Sequence, residues 1–263
     1  VIGVPLGTFV AQQASWRVVL GAIAVIGLVT IAGLLAWMPT GAGEPSDLRS
    51  ELSAFRRGQV WLVLGLTMVG FSALFAVYSY VSPILTELGG IPTGWVTPVL
   101  ALFGVGTTIG TLAGGRLGDR YGFSFVAVGL LAMVVVLVAF AFLARTPVAA
   151  VALLVLFGTL SFALGPVVQN AVIEAARVPG GSLVSAANQG AFNVANAVGA
   201  ALGALVISSG LGYTAPMWVG AVLALVGAGI AVLARSADRR PARAPEPLPK
   251  RAAASGELLR DAA

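Results

Sequence analysis

The sequence predicts an all-α integral membrane protein, on three observations. Only 10% of its 263 residues are charged and 58% are hydrophobic, whereas a soluble domain carries about 25% charged residues. So little charge cannot cover a water-exposed surface of this size. Seven stretches, at about 1.5 Å of rise per residue, are long enough to cross about 30 Å of hydrocarbon. They are Val18–Met38, Val60–Pro83, Trp95–Gly114, Phe123–Leu143, Val148–Asn170, Ser185–Ser209 and Tyr213–Ala234, and none contains Asp, Glu, Lys or Arg. Each must be helical, because lipid offers no partner to a free backbone group. Finally, the basic residues divide 13 to 2 between the two sides of the implied membrane, with Arg17 and Arg145 alone on the poor side. The rich side is therefore expected to be cytoplasmic, with the C-terminus on it. That asymmetry accounts for a pI near 10.4 and removes nucleic acid as a partner.

Composition also restricts the chemistry. The chain has neither Cys nor His, and its one Lys, Lys250, lies in the C-terminal tail. Thiol nucleophiles, the commonest metal ligands, a histidine base and an intramembrane Schiff base are thereby excluded. No cofactor, no metal and no enzymatic activity are expected.

Along the chain, Val1–Ala11 is apolar but too short to span, and it runs into Gln12–Arg17 as a helix end would. It is expected to be the outer end of a transmembrane helix that begins before residue 1. Residues 1–38 then hold that end and one full span. Residues 39–59, polar and rich in Gly, Pro, Ser and Arg, are expected to be a cytoplasmic linker. Residues 60–234 are expected to form a six-helix bundle. Residues 235–263, with four prolines and mixed charge, are expected to form a disordered cytoplasmic tail. Trp37, Trp61, Trp95 and Trp218 lie near span ends, where interfacial anchoring accounts for them.

Polarity inside the spans marks the candidate site. Gln189, Asn193 and Asn196 stand at i, i+4 and i+7 and share one helical face. In lipid such amides are costly unless paired or wet. This face is either a substrate-cavity wall or the glue of a helix–helix contact, since both use the same residue types. Tyr78 on the first bundle helix, and Gln169 and Asn170 beyond Pro166, are further cavity candidates; Pro166 is expected to kink its helix. The spans Phe123–Leu143 and Tyr213–Ala234 carry almost no interior polar residue and are expected to face lipid.

The run Gly115-Arg116-Leu117-Gly118-Asp119-Arg120-Tyr121-Gly122 joins two spans in eight residues and is expected to be a tight turn. It resembles the G-x-x-x-D-R-x-G loop signature of the major facilitator superfamily, carried here on Gly115, Asp119, Arg120 and Gly122. Phe123 and Ser124 replace the basic residues that often follow. Gly3-Val4-Pro5-Leu6-Gly7, followed by Trp16-Arg17, is similar to the end of helix five in the drug antiporters of that superfamily. Phe192-Asn193 through Gly199 resembles helix eleven of arabinose-efflux-like and chloramphenicol-efflux-like permeases. The resemblance implies helices five to twelve of a twelve-helix transporter, here seven full spans and the end of an eighth. It further implies alternating access between two bundles, the first largely outside this chain, with Asp119 and Arg120 helping to latch one state. A small-molecule substrate, protons and the lipid bilayer are the implied partners. Gly3 and Gly7 are expected to meet a glycine ridge at Gly106, Gly110 and Gly114 across the interface of the two halves. The spans hold no titratable carboxylate, so one that couples transport to protons is expected to lie before residue 1. Proton-coupled drug efflux is the function implied. Sugar or nucleoside export is the alternative within transport, and a seven-helix receptor or intramembrane enzyme the alternative outside it.

Overall fold

Continuous apolar composition gives, among the described residues, seven helices long and apolar enough to cross a membrane, even though Pro98 and Pro166 stand inside two of them. The structure is a computed structural model and describes Gly7, Val10 and residues 15–37, 48–177 and 181–238. The helices are α1 (Trp16–Trp37), α2 (Gly58–Tyr78), α3 (Thr93–Tyr121), α4 (Phe123–Leu143), α5 (Pro147–Ala176), α6 (Ser182–Val206) and α7 (Ala215–Asp238). α6 is prolonged by a π-helical turn, Ile207–Leu211, and a second such turn, Ile84–Leu88, follows α2. A short helix, Leu48–Ser53, and a 3-10 turn, Ala54–Arg56, precede α2.

Pro147 opens α5 at its first turn, where its missing N–H costs nothing. α5 then runs through Pro166 to Ala176 and ends on Arg177, which sits in the left-handed region at φ 49°. Gly122 (φ 51°) is at once the C-cap of α3 and the N-cap of α4. The expected eight-residue turn is therefore corrected. Gly115 to Tyr121 is helix, and the reversal is made by Gly122 alone, because the glycines before it serve a close helix contact.

That contact is the seam between α3 and α5. A Cβ placed on Gly106 would stand 2.8 Å from the carbonyl oxygen of Val155, and on Gly110, Gly114 or Gly118 it would overlap Thr159, Ala163 or Val167. α6 repeats the arrangement on α2: a Cβ on Gly199 would lie 2.5 Å from the Ser72 carbonyl oxygen, and one on Gly203 2.6 Å from that of Ala76. Small residues let backbones approach closely where lipid supplies no hydrophobic drive between helices. The ridge Gly106, Gly110, Gly114 is thus taken up by α5, within the bundle, and is not free to face the Gly3–Gly7 segment. Gly3 lies outside the described residues, and a Cβ on Gly7 would be an ordinary 3.6 Å from Val19 Cγ1.

The remaining packing completes a ring open at one point. α7 lies on α4 and α2, α4 lies on α5, and α2 meets α5 across the middle. A seam of alanines on α7 (Ala221, Ala224, Ala228, Ala231) is buried here. Exchanging α2 with α5, α3 with α6 and α4 with α7 reproduces the principal contacts. Since α2 and α5 run in opposite directions, the two triplets are related by a two-fold axis in the plane of the implied membrane, an inverted repeat. α3 and α6 are the two helices at the opening. α4 and α7 lie on the far side, with Val128, Val135, Val222 and Leu225 exposed, as a lipid-facing pair requires. α1 stands apart: none of its residues is buried.

The bundle has one arginine-rich end, formed by the start of α2, the α3–α4 reversal, the end of α5, the start of α6 and the end of α7. Of the expected linker, residues 48–59 are described and are helical except for the extended Arg57, with Ala54 fully buried. Of the expected tail, Arg235 to Asp238 continue α7. Residues 239–263, and apart from Gly7 and Val10 the Val1–Ala11 segment, lie outside the described residues.

Candidate functional site

The opening between α3 and α6 leads to a cleft of about 640 Å³, within the range of about 300–1,000 Å³ common for small-molecule sites. α2 contributes Leu74, Phe75 and Tyr78, α5 contributes Phe162, and α6 contributes Phe192 and Asn196. α3 supplies the longest wall, from Leu100 through Phe103, Thr107, Thr108 and Thr111 to Leu112. These positions fall near the middle of α3, α5 and α6, so the cleft lies at mid-depth.

Its walls are aromatic and ordered. Tyr78 stacks on Phe103 with centroids 5.0 Å apart and planes at 22°. Phe192 meets Phe71 and Phe75 edge-on at 4.9 and 5.3 Å. Such pairs hold one another's orientation. The polar groups are few. Thr107 and Thr108 both donate to the Gly104 carbonyl, at 2.8 and 2.9 Å, and Thr111 donates to that of Thr107 at 2.9 Å. With their protons committed to the helix, these hydroxyls keep only acceptor capacity. The Asn196 amide, unbonded to any described residue, is free to donate and to accept.

The sequence-predicted residues separate into several places. Tyr78 and Asn196 line the cleft. Gln189 and Asn193 are exposed on the same side of α6 as Asn196 but do not line it. Gln169 belongs to a buried chain: Thr67 of α2 donates to Asn188 Oδ1 at 2.6 Å, and Asn188 Nδ2 donates to Gln169 Oε1 at 2.7 Å. Asn188, 6% exposed, thus ties α6 to both α2 and α5, as does Ser72 donating to the Ala195 carbonyl at 3.2 Å for α2 alone. Asn170 lines a different cleft, of about 390 Å³, at the arginine-rich end, with Asp119, Glu174 and Arg235. Asp119 and Arg120 are both helical; Asp119 lines that cleft, whereas Arg120 lies over the Tyr121 ring at 5.3 Å.

Phe75, Phe103, Phe162, Phe192 and the threonines of α3 escaped the sequence reading. Phe103, Thr107 and Thr111 stand at i, i+4 and i+8, a spacing that places them on one face. Aromatic residues in an apolar span are nevertheless indistinguishable from core by composition.

A membrane-length helical bundle with an inverted repeat and a mid-depth cleft at its open seam defines a carrier-type fold. The chain belongs to the Major Facilitator Superfamily, which its sequence matches over residues 1–188 and 93–262. It is 37% identical to the inner membrane transport protein YdhP of Escherichia coli (strain K12) over 91% of this chain and 61% of that protein. It is 35% identical to a chloramphenicol resistance protein of Streptomyces lividans, over 86% of this chain and 59% of that one. With the putative transporter AraJ of Escherichia coli (strain K12) it shares 31% over 81% of this chain and 54% of the relative. The chain thus spans about three fifths of the length of these curated relatives.

Proposed function

We propose that this chain forms one wall of a secondary transporter that works by alternating access and exports aromatic, amphipathic small molecules in exchange for protons. The observation that carries the reading is the mid-depth cleft between α3 and α6, lined by Phe75, Tyr78, Phe103, Phe162 and Phe192 with Asn196 as its one side-chain amide. A sugar or nucleoside presents many hydroxyls, each needing a partner once desolvated, and this wall supplies few. A flat ring with one or two polar substituents matches it better. The chloramphenicol resistance protein among the relatives supports the same class of substrate.

In this reading residues 60–234 are one of two bundles that rock about the cleft, residues 39–59 link them, and the arginine-rich end faces the cytoplasm. The proton-carrying carboxylate lies outside the seven spans. Asp119, which lines the second cleft, and its neighbour Arg120 act on the exchange between states. The test uses everted membrane vesicles holding the whole protein, energised and offered labelled chloramphenicol or labelled arabinose. Chloramphenicol is expected to accumulate, uncoupler to abolish accumulation, and Asn196→Leu to reduce it. Accumulation of arabinose alone would establish the sugar reading instead.

A further inference from the structure

Glu51 is the one buried carboxylate among the described residues, 3% exposed. It belongs to the short helix Leu48–Ser53 but is spent on α6. Its two carboxylate oxygens each accept from Ser182 Oγ at 3.0 Å, and Oε2 also accepts from the Leu183 backbone N–H at 2.8 Å. α6 has no cap of its own, because its N-cap position is Gly181, at φ 59°, with no side chain to supply one. A carboxylate is the side chain best suited to unpaired N–H groups and to the positive end of a helix dipole. Here it is delivered from 131 residues earlier in the chain.

α6 is also the helix that carries Phe192 and Asn196 of the cleft. Its last third is held on α2 by Gly199 and Gly203, and its second turn is tied to α2 and α5 through Asn188. Its start is held by the segment before α2. We propose that Glu51 is a positioning residue: it fastens the start of α6 to the segment joining α1 and α2, so that displacement of that segment is delivered to the helix bearing the cleft's amide. The consequence for turnover rests on the transport reading; the fastening itself does not.

Two measurements on the whole protein in nanodiscs or proteoliposomes separate these. Deuterium uptake by the peptide containing Leu183 is expected to be at least tenfold faster in Glu51→Gln than in wild type, and unchanged in Leu52→Ala, an exposed neighbour. Equal uptake in Glu51→Gln and wild type would overturn the fastening whether or not the protein transports. With labelled chloramphenicol, maximal turnover per folded molecule is expected to fall at least fivefold in Glu51→Gln with half-saturation unchanged, and Ser182→Ala is expected to show the same pattern more weakly. A lower melting temperature with normal turnover would reduce Glu51 to a plain helix cap. A changed half-saturation with normal turnover would make it a shaper of the cleft, which equally overturns the proposal. Absence of transport by the wild type would count against the proposed function and leave the exchange result to decide the fastening. Ser182→Ala serves for both measurements should Glu51→Gln fail to fold.

Discussion

Asn188 and Asn196 stand eight positions apart on one helix, yet they serve different ends. Asn188 is buried and bonded on both sides, whereas Asn196 opens to the cleft. Asn188→Leu is therefore expected to lower stability by about 1 kcal/mol, the range of interhelical hydrogen bonds in membranes. Asn196→Leu should leave the melting temperature in detergent within error while reducing substrate binding. Equal melting losses in both variants would mean that Asn196 is glue too. Sequence alone offered both roles for Gln189, Asn193 and Asn196, could not separate them, and did not single out Asn188. An amide is costly in lipid wherever it points, and only the packing of α2 against α6 decides which ones are paired. Gly114 poses a sharper case, since an added methyl would overlap the backbone of Ala163. Gly114→Ala should destabilise the bundle by about 1–3 kcal/mol through overpacking, read as an earlier thermal transition.

Helix number and order were legible because hydrocarbon thickness dictates span length and forbids charge. Helix ends were less so. The glycines of Gly115–Gly122 look like turn residues, but Gly118 is needed where α3 passes Val167, and Gly122 alone is needed for the reversal. Gly122, at φ 51° and ψ −133°, occupies a conformation costing other residues about 1–3 kcal/mol. Gly122→Ala should accordingly lower the melting temperature. Arg177 gives the opposite sign: it ends α5 in the left-handed region, which costs a non-glycine residue about 1 kcal/mol. Arg177→Gly is expected to raise the melting temperature, and a fall would show that its side chain holds the end of α5. The segment before α2 was legible as polar but not as packed, because nothing in its composition foretells that Glu51 will cap a helix so far along the chain.

At the scale of the molecule, the cleft has walls on α2, α3, α5 and α6 and, among the described residues, none opposite. A pathway closed alternately at either end requires a facing surface, and α1, with no buried residue, does not provide one. The 263-residue chain reconstituted by itself is expected to bind labelled chloramphenicol without uncoupler-sensitive efflux. Efflux at the rate of the whole protein would show that this bundle suffices, by pairing with itself. The family was legible from the Gly115–Gly122 run and from helix six of this chain, whereas the aromatic character of the cleft required knowing how the helices face.

The two glycine seams have a mechanical meaning. Where backbone meets backbone, no side chain can change rotamer to absorb a displacement, so α3 with α5, and α2 with α6, behave as two stiff plates. The width of the cleft then depends on the angle between the plates more than on bending within either. Compliance is left to the contacts between α2 and α5 and to the alanine-lined layer of α4 and α7 behind them, where small displacements would be magnified at the open edge as they are at the tips of a pair of tongs.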